Sequence, residues 1–345
     1  MFKKILLAAV SLVSLIIIFF AVWPVPYTKW SGLQIAYPNV RNEKTLAEQL
    51  GYTRSDILLI VHADDLAIHK DQTDGALDAM HNGLVTTGSV MVPCPDFDRM
   101  ASIWRADPNL DLGLHLTLNT GHRAEYRWKP LLPIEKVPSL YNPDGYMWRG
   151  LKEFGENLRI TESLMEIEAQ IKKALAIGLK PTHIDTHMGV YNIHPRLAKG
   201  VMMLSRKYNL PMLPSPYHIE EMREKGYVYP DTIWMYLLIA GEKYFPWNRK
   251  KMYHRFLRNL KPGVHELIIH PSFMSKEYER YVWRPYVLTE DHAYWTSPDT
   301  KALINKLGII LIGYRELQKL QAKNWQGLGS EQDYALGVNN SEHPG

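Results

Sequence analysis

One cysteine, eight phenylalanines and a formal charge of only +4 over 345 residues are the scarcities of this sequence. A single thiol excludes an intrachain disulfide, so an exported form of the chain would owe its stability to its core. Cys94 stands between Pro93 and Pro95, an awkward setting for a nucleophile, and reads as a small buried apolar residue. The weak net charge gives no field that would gather nucleic acid, and no nucleic-acid partner is expected. No glycine-rich phosphate loop, internal repeat or second core is recognisable. In place of phenylalanine there are 10 tryptophans and 20 tyrosines. Such rings have a polar edge and suit surfaces that stack on sugars, although they serve equally as core and rim residues.

The amino terminus carries the one run suited to a bilayer. Lys3 and Lys4 precede an uncharged apolar stretch from Ile5 to Trp23, closed by Pro24. At about 1.5 Å per residue it covers nearly 30 Å, a hydrocarbon core's thickness. The lysines should stay on the cytoplasmic side and send the remainder across. A cleaved signal peptide is the rival, but Ala21-Val22-Trp23 is not the small-residue pattern that a signal peptidase prefers. Residues 1–25 are therefore expected to be a membrane anchor or signal segment and 26–55 a linker and lead-in. The catalytic part would lie outside the membrane, or be secreted if the segment is cleaved.

From residue 56 the pattern is that of an α/β protein. Asp56–Val61 is a continuous apolar run, as in a strand buried on both faces. A helix over Gln72–Asn82 should follow, closed by a left-handed cap at Gly83. Strands at Val85–Val92 and Asp111–Leu118 flank a helix at Phe97–Arg105. Further helices are predicted at Glu162–Ile177, Arg196–Tyr208 and Ser297–Leu307, with one closing over His254–Leu260. Further strands are predicted at Thr182–His187, Val264–Ile269 and Ile309–Ile312. The alternation implies parallel strands with crossover helices. Residues 122–160, rich in Pro, Trp and Tyr, read as a functional loop or lid. Residues 42–50 suggest a helix, and 217–246 resist assignment. One domain spans 56–318, and the polar stretch 319–345 reads as a disordered tail.

In a parallel barrel, reactive groups sit at the carboxyl ends of the strands. Four predicted strands end in His62-Ala63-Asp64-Asp65, Gly113-Leu114-His115-Leu116, His183-Ile184-Asp185-Thr186-His187 and His270-Pro271. Adjacent carboxylates repel, and a divalent cation relieves them; one Asp can bind it while the other stays free as a base. The same pair would also suit a turn followed by a helix N-cap. His183, Asp185 and His187 alternate, so an extended segment points all three to one face. An Asp and two His from separate strand ends make a three-ligand site with open positions, as a hydrolytic metal needs. A hydrogen-bonded polar rim would use the same residues.

These motifs resemble, in order, those of the YdjC-like carbohydrate deacetylases, a family that includes chitooligosaccharide deacetylases and is distantly similar to NodB-type polysaccharide deacetylases. The resemblance rests on Val61-His62-Ala63-Asp64-Asp65 with Lys70, Gln72 and Thr86-Thr87-Gly88-Ser89, on Leu112–Thr117, on Pro181–His187 and on Glu266–Pro271. It implies a distorted (β/α) barrel of the glycoside hydrolase/deacetylase type, here with an N-terminal transmembrane helix. It also implies a Mg²⁺ or, second, Zn²⁺ site made by Asp65, His115 and His187, Asp64 as the base that activates water, and His270 as donor to the leaving amine. The chain departs from the family pattern at His62, where Asn is usual, at Leu66-Ala67 in place of Phe-Gly, and at Met188-Gly189, where another His is usual. These departures bear on substrate choice rather than on the three ligands.

Residues 278–295 carry Tyr278, Arg280, Tyr281, Trp283, Arg284, Tyr286, Asp291 and Trp295. They read either as a sugar-facing wall, with Trp283, Arg284 and Trp295 as substrate-binding residues, or as a packed loop. The expected activity is removal of an acetyl group, N-acetyl before O-acetyl, from a glycan. The alternatives are a metal-dependent phosphoesterase, which usually wants two metals, and a tethered glycan-binding protein without catalysis.

Overall fold

The computed structural model describes residues 33–121, 123, 125–236 and 247–326. The expected anchor, residues 1–25, lies outside them. Among the described residues no helix is long and apolar enough to cross a membrane.

A short strand β1 (Leu33–Ala36) and a one-turn helix α1 (Leu46–Gln49) lead into a strand–helix alternation. It begins with β2 (Ile57–Leu66), α2 (Lys70–His81), β3 (Thr87–Val90), α3 (Phe97–Ala106) and β4 (Leu112–Leu116). A long excursion containing α4 (Leu151–Glu156) follows, then α5 (Ile160–Ala176), β5 (Ile184–Thr186), α6 (Pro195–Tyr208), α7 (Ile219–Glu224) and β6 (Thr232–Met235). The chain closes through α8 (Trp247–Asn259), β7 (Gly263–Ile269), α9 (Pro285–Trp295), α10 (Pro298–Leu307), β8 (Ile309–Leu311) and α11 (Tyr314–Gln326).

The strands adjoin in the order β1-β6-β7-β2-β3-β4-β5, with β8 beside the first residues of β2. Every pairing is parallel except β1 with β6. The result is a curled, open (β/α) barrel. β2 is its centre: β7 flanks Ile57–Ala63, β8 flanks Ile57–Leu59, and β3 takes over from His62 onward. Leu58–Asp64 and all of β7 are buried, as continuous apolar strands covered on both faces should be.

Five local expectations differ from the fold. The helix predicted over 42–50 begins only at Leu46, because Asn42 and Glu43 take left-handed φ values of 49° and 63° in a turn closed by Arg41 and Lys44. Thr45 and Glu48 then cap the helix reciprocally. Gly83 is not a left-handed cap: α2 stops at Asn82, and the glycine is required because a Cβ there would sit 2.7 Å from the Trp295 carbonyl. The unassigned stretch 217–246 holds α7 and β6. Residues 285–295 form helix α9 rather than a loop, and of the two readings the packed one holds for Trp295, wholly buried against Tyr253 and Tyr294. It therefore cannot line a sugar site. Finally, residues 319–326 belong to α11, whose Leu317, Gln321 and Trp325 are buried; the rest of the expected tail lies outside the described residues.

The excursion after β4 is ordered against the barrel. Glu166 of α5, fully buried, accepts the backbone N–H groups of Leu131 (2.9 Å) and Leu132 (3.0 Å) and so hooks the segment down. Its Trp128 and Met147 pack with Ile68, Met91, Cys94, Tyr278 and Val282, forming a small core at the barrel mouth. Cys94 is buried there as expected, and burial pushes its thiol well above the ordinary range.

Candidate active site

The site begins with an irregularity in β2. Its register with β3 slips between Ala63 and Leu66, and Asp65 takes φ 63°, a left-handed value that Asp tolerates better than most residues. Neighbouring carboxylates that strict alternation would send to opposite faces are thereby turned toward the same groups. The helix N-cap that follows is His69, not either aspartate, which removes the capping explanation for the pair.

Asp65, His115 and His187 converge. Asp65 Oδ1 lies 3.0 Å from His187 Nδ1 and 3.3 Å from His115 Nε2, and those two ring nitrogens are 3.3 Å apart. The three ligand atoms all fall within 4.8 Å of one another. His115 arrives from β4 and His187 from the turn after β5, where Met188 and Gly189 both take left-handed φ and reverse the chain. Gly121 closes over them: a Cβ there would stand 2.9 Å from His187 Nε2.

His115 is oriented from behind. It donates through Nδ1 to Asp185 Oδ1 (2.8 Å), which leaves the Nε2 lone pair facing Asp65 and His187. Two imidazoles and a carboxylate with converging lone pairs are a donor set that fits a divalent ion. The electrostatics agree. Burial opposes charge on Asp65, yet His187 and His115 hold its carboxyl well below the usual range. Burial likewise opposes a proton on His115, but Asp185 and Asp64 raise its pKa well above the usual value. A strong demand for positive charge is therefore centred between these groups.

Asp64 sits beside them, nearly buried. Burial, Asp185 and Asp65 push its carboxyl well above the ordinary carboxylate range against the pull of His115 and His62. Its Oδ1 lies 3.3 Å from Ser89 Oγ and 3.4 Å from His62 Nε2. His270 Nε2 approaches Asp65 Oδ2 at 3.8 Å, and burial lowers its pKa. Its backbone N–H is held by Asp291 Oδ2 (2.9 Å), whose other oxygen takes Arg249 (2.6 Å) and Tyr253 (2.5 Å). Asp291 is thus an internal strut rather than a polar clamp on substrate.

His183 does not join the convergence. It lies deeper, stacked on Tyr314 at 3.9 Å and packed flat on Gly113, where any Cβ would meet its ring at 2.6 Å. Alternate strand residues do share a face, but each pair is about 6–7 Å apart along the strand, so they occupy different depths. Trp283 is exposed, with the guanidinium groups of Arg123 and Arg149 over its ring at 5.4 and 5.3 Å, while Arg284 stands at the N-cap position of α9 without a side-chain capping bond. Ser89, Glu266 and Arg249 were not predicted as functional, although the first two stand in the motifs. Tyr314 follows the last strand in an apolar–aromatic context that carries no chemical signal.

Fold and site together define a curled parallel α/β barrel with a cation-type donor set at the carboxyl ends of its strands. The family model described as "YdjC-like protein" matches residues 58–306, and the chain belongs to that family. Similar curated proteins include a carbohydrate deacetylase of Enterococcus faecalis, 28% identical over 267 residues, covering 75% of this chain and 97% of the relative. A chitooligosaccharide deacetylase of Yersinia enterocolitica is 27% identical over 276 residues, covering 75% of this chain and 98% of that one. Among solved structures, an Enterococcus faecalis V583 protein provisionally assigned to cellobiose-phosphate cleavage aligns with TM-score 0.65 and 28% identity, covering 76% of this chain and 99% of that one.

Proposed function

We propose that the protein is a divalent-metal-dependent carbohydrate deacetylase that hydrolyses an N-acetyl group on a glycan. The observation that carries this reading is the convergence of Asp65, His115 and His187 beside Asp64, in a chain whose curated relatives are named carbohydrate deacetylases. Asp65, His115 and His187 would hold the ion, Mg²⁺ in the first instance and Zn²⁺ in the second. When bound, the ion supplies Lewis acidity toward the acetyl carbonyl and the attacking water.

The protein's own groups do the rest. Asp64, with a carboxyl whose proton affinity is raised by burial, takes the water's proton as it attacks. His270 faces the same space, and burial favours its neutral form. The proton that Asp64 takes from the water would pass through His270 to the leaving amine, so that none is gained or lost in the cycle. Exposed Trp283 offers a face on which a sugar ring can stack. The segment carrying Trp128, which packs edge-on to His187 at 6.4 Å, keeps bulk water from one side of the site.

The test is acetate release from N- and O-acetylated oligosaccharides by the purified chain with Mg²⁺, Zn²⁺ or Co²⁺. Folded protein that releases no acetate with any of these metals would sink the reading. The phosphoesterase alternative is favoured by one observation: His62, Asp64 and Asp185 form a second group able to hold a cation, next to the first. A phosphate-ester screen and the number of ions per chain decide between the two. We also place the site outside the membrane, on the strength of Lys3, Lys4 and the apolar run to Trp23. Co-migration of the intact protein with a form truncated after Trp23 would remove the anchor.

A further inference from the structure

We propose that Arg123, Arg149 and Trp283 form an anion clamp at the mouth of the barrel, and that the glycan accepted there carries an acidic group, a sugar carboxylate or a phosphate, next to its N-acetyl sugar. The substrate class named here rests on the deacetylase reading, whereas the charge preference comes from the mouth alone. The two guanidinium carbons stand 5.4 and 5.3 Å from the centroid of the one Trp283 ring. Both arginines are exposed, and the indole is 59% exposed, so none of the three is sealed from an incoming ligand.

The two arginines lack what a neighbouring one has. Arg127 lies over the Tyr146 ring at 4.1 Å, and its guanidinium also pairs with Asp144 at 2.7 Å. The chain thus gives that cation both a ring and a counter-ion. Arg123 and Arg149 have the ring only: among the described residues neither guanidinium meets a carboxylate or any other hydrogen-bond acceptor. The acids of the same excursion are committed or apart. Asp144 serves Arg127, Glu153 Oε2 accepts the backbone N–H of Gly150 (2.6 Å), and exposed Glu125 joins neither arginine. A guanidinium held over an aromatic ring still has its N–H fork to give to a carboxylate or phosphate. An incoming acid would therefore stand to Arg123 and Arg149 as Asp144 stands to Arg127.

The clamp is attached to the wall of the site. Thr120 N–H donates to the Trp148 carbonyl and Gly121 N–H to the Arg149 carbonyl, both at 2.9 Å, and Asn119 Nδ2 reaches that same Arg149 carbonyl at 3.3 Å. Gly121 is the residue that closes over His187, so Arg149 is hydrogen-bonded to the wall of a proposed metal ligand. Trp283 comes from a different part of the chain, the segment that leads from His270 to α9. A glycan reaching Asp65, His115 and His187 along this wall passes the two guanidinium groups. The floor of the site holds the carboxylates of Asp64, Asp65, Asp185 and Glu266, which would repel an acid on the reacting sugar itself. The acidic group is therefore assigned to the neighbouring sugar, at the mouth.

The experiment is acetate release and calorimetric binding by the full-length chain, loaded with Mg²⁺ or Zn²⁺, on three disaccharides of N-acetylglucosamine. One is neutral, one has glucuronate as its second sugar, and one carries a phosphate monoester on its second sugar. At low salt at least one acidic disaccharide should have a Kd and KM about tenfold below those of the neutral one, the worth of one charge-assisted contact. The acid that gains more identifies the group. Molar salt should erase most of the advantage, because both arginines are exposed to screening. R123Q and R149Q should each reduce the preference while the neutral disaccharide keeps its KM and kcat. Equal affinity for all three disaccharides overturns the proposal, as does a preference unchanged in molar salt or in the R123Q/R149Q double variant. An equal rise in KM for neutral and acidic disaccharides also overturns it, since the arginines would then be a latch that holds the excursion against Trp283. Acidic disaccharides that bind preferentially through the arginines but yield no acetate count against the proposed function and leave the clamp standing. Acetate released without charge preference does the reverse.

Discussion

At the barrel rim, Asp65, His115 and His187 turn three lone-pair-bearing atoms toward a common point. One layer deeper, His62 stands between Glu266, Asp64 and Asp185, with Tyr314 and His183 beneath it. The residue types are nearly the same, yet the rim turns its atoms toward one point that a cation would fit, whereas in the lower layer His62 Nδ1 pairs with Glu266 and its Nε2 stands 3.4 Å from both aspartates. The difference is depth along the strands. Successive inward-facing residues lie about 6–7 Å apart, so each strand contributes one residue to the open layer and the preceding one to a layer sealed by its neighbours. His115, at the open level, is served from behind by Asp185, and the two layers are thereby joined.

The sharpest way to separate the layers is to disable the proposed base without touching the proposed ligands. Asp64→Asn should lower kcat by about 10²–10⁴-fold while calorimetric metal binding remains; loss of metal together with activity would make Asp64 a ligand instead. Next is the strut beneath His270. Asp291→Ala leaves the buried Arg249 guanidinium without its carboxylate and should cost about 3–5 kcal/mol in urea unfolding; a change within 0.5 kcal/mol would show that Tyr236 and Tyr253 suffice to hold it.

The lower layer predicts a pH effect of fixed sign. The folded-state pKa of His62 is raised from 6.5 to about 9. The stability it contributes is therefore fully present below pH 6.5 and lost as pH rises through about 9. The stability advantage of the wild type over H62N, measured by urea unfolding, should shrink between pH 6 and 9.5; an advantage that grows with pH would contradict the charge. Gly113→Ala, which drives a methyl into the His183 ring, should cost about 1–3 kcal/mol by overpacking. The smallest effect belongs to the mouth. Trp283→Ala should alter stability by less than about 0.5 kcal/mol while raising KM for an oligosaccharide, and an unchanged KM would remove Trp283 from the sugar path.

Much of this was legible before any coordinates. The apolar runs of β2 and β7 and their helical spacers implied parallel strands with crossover helices, the family resemblance implied the barrel, and the Asp/His strand ends put Asp64, Asp65, His115, His187 and His270 on one rim. Trp295 was misread because an aromatic in a Tyr/Trp-rich stretch looks the same facing sugar or core. Only the packing of α9 against Tyr253 and Tyr294 chose the core. His183 was drawn toward the rim by its alternation with Asp185 and His187, since periodicity reports a face and not a depth. The contacts of Asp291 with Arg249 and His270 join residues far apart in the chain, which no local pattern encodes.

The sequence alone determined the identity of β2–β5, β7 and β8 and the family's motif order, because hydrophobic period and local turn chemistry act over a few residues; β1 and β6 escaped it. The tertiary structure decided which polar groups meet across the barrel and at what level. Such pairings depend on register, on the slip at Ala63–Leu66 and on the left-handed turn at Asp65, where three-dimensional packing overrules local preference.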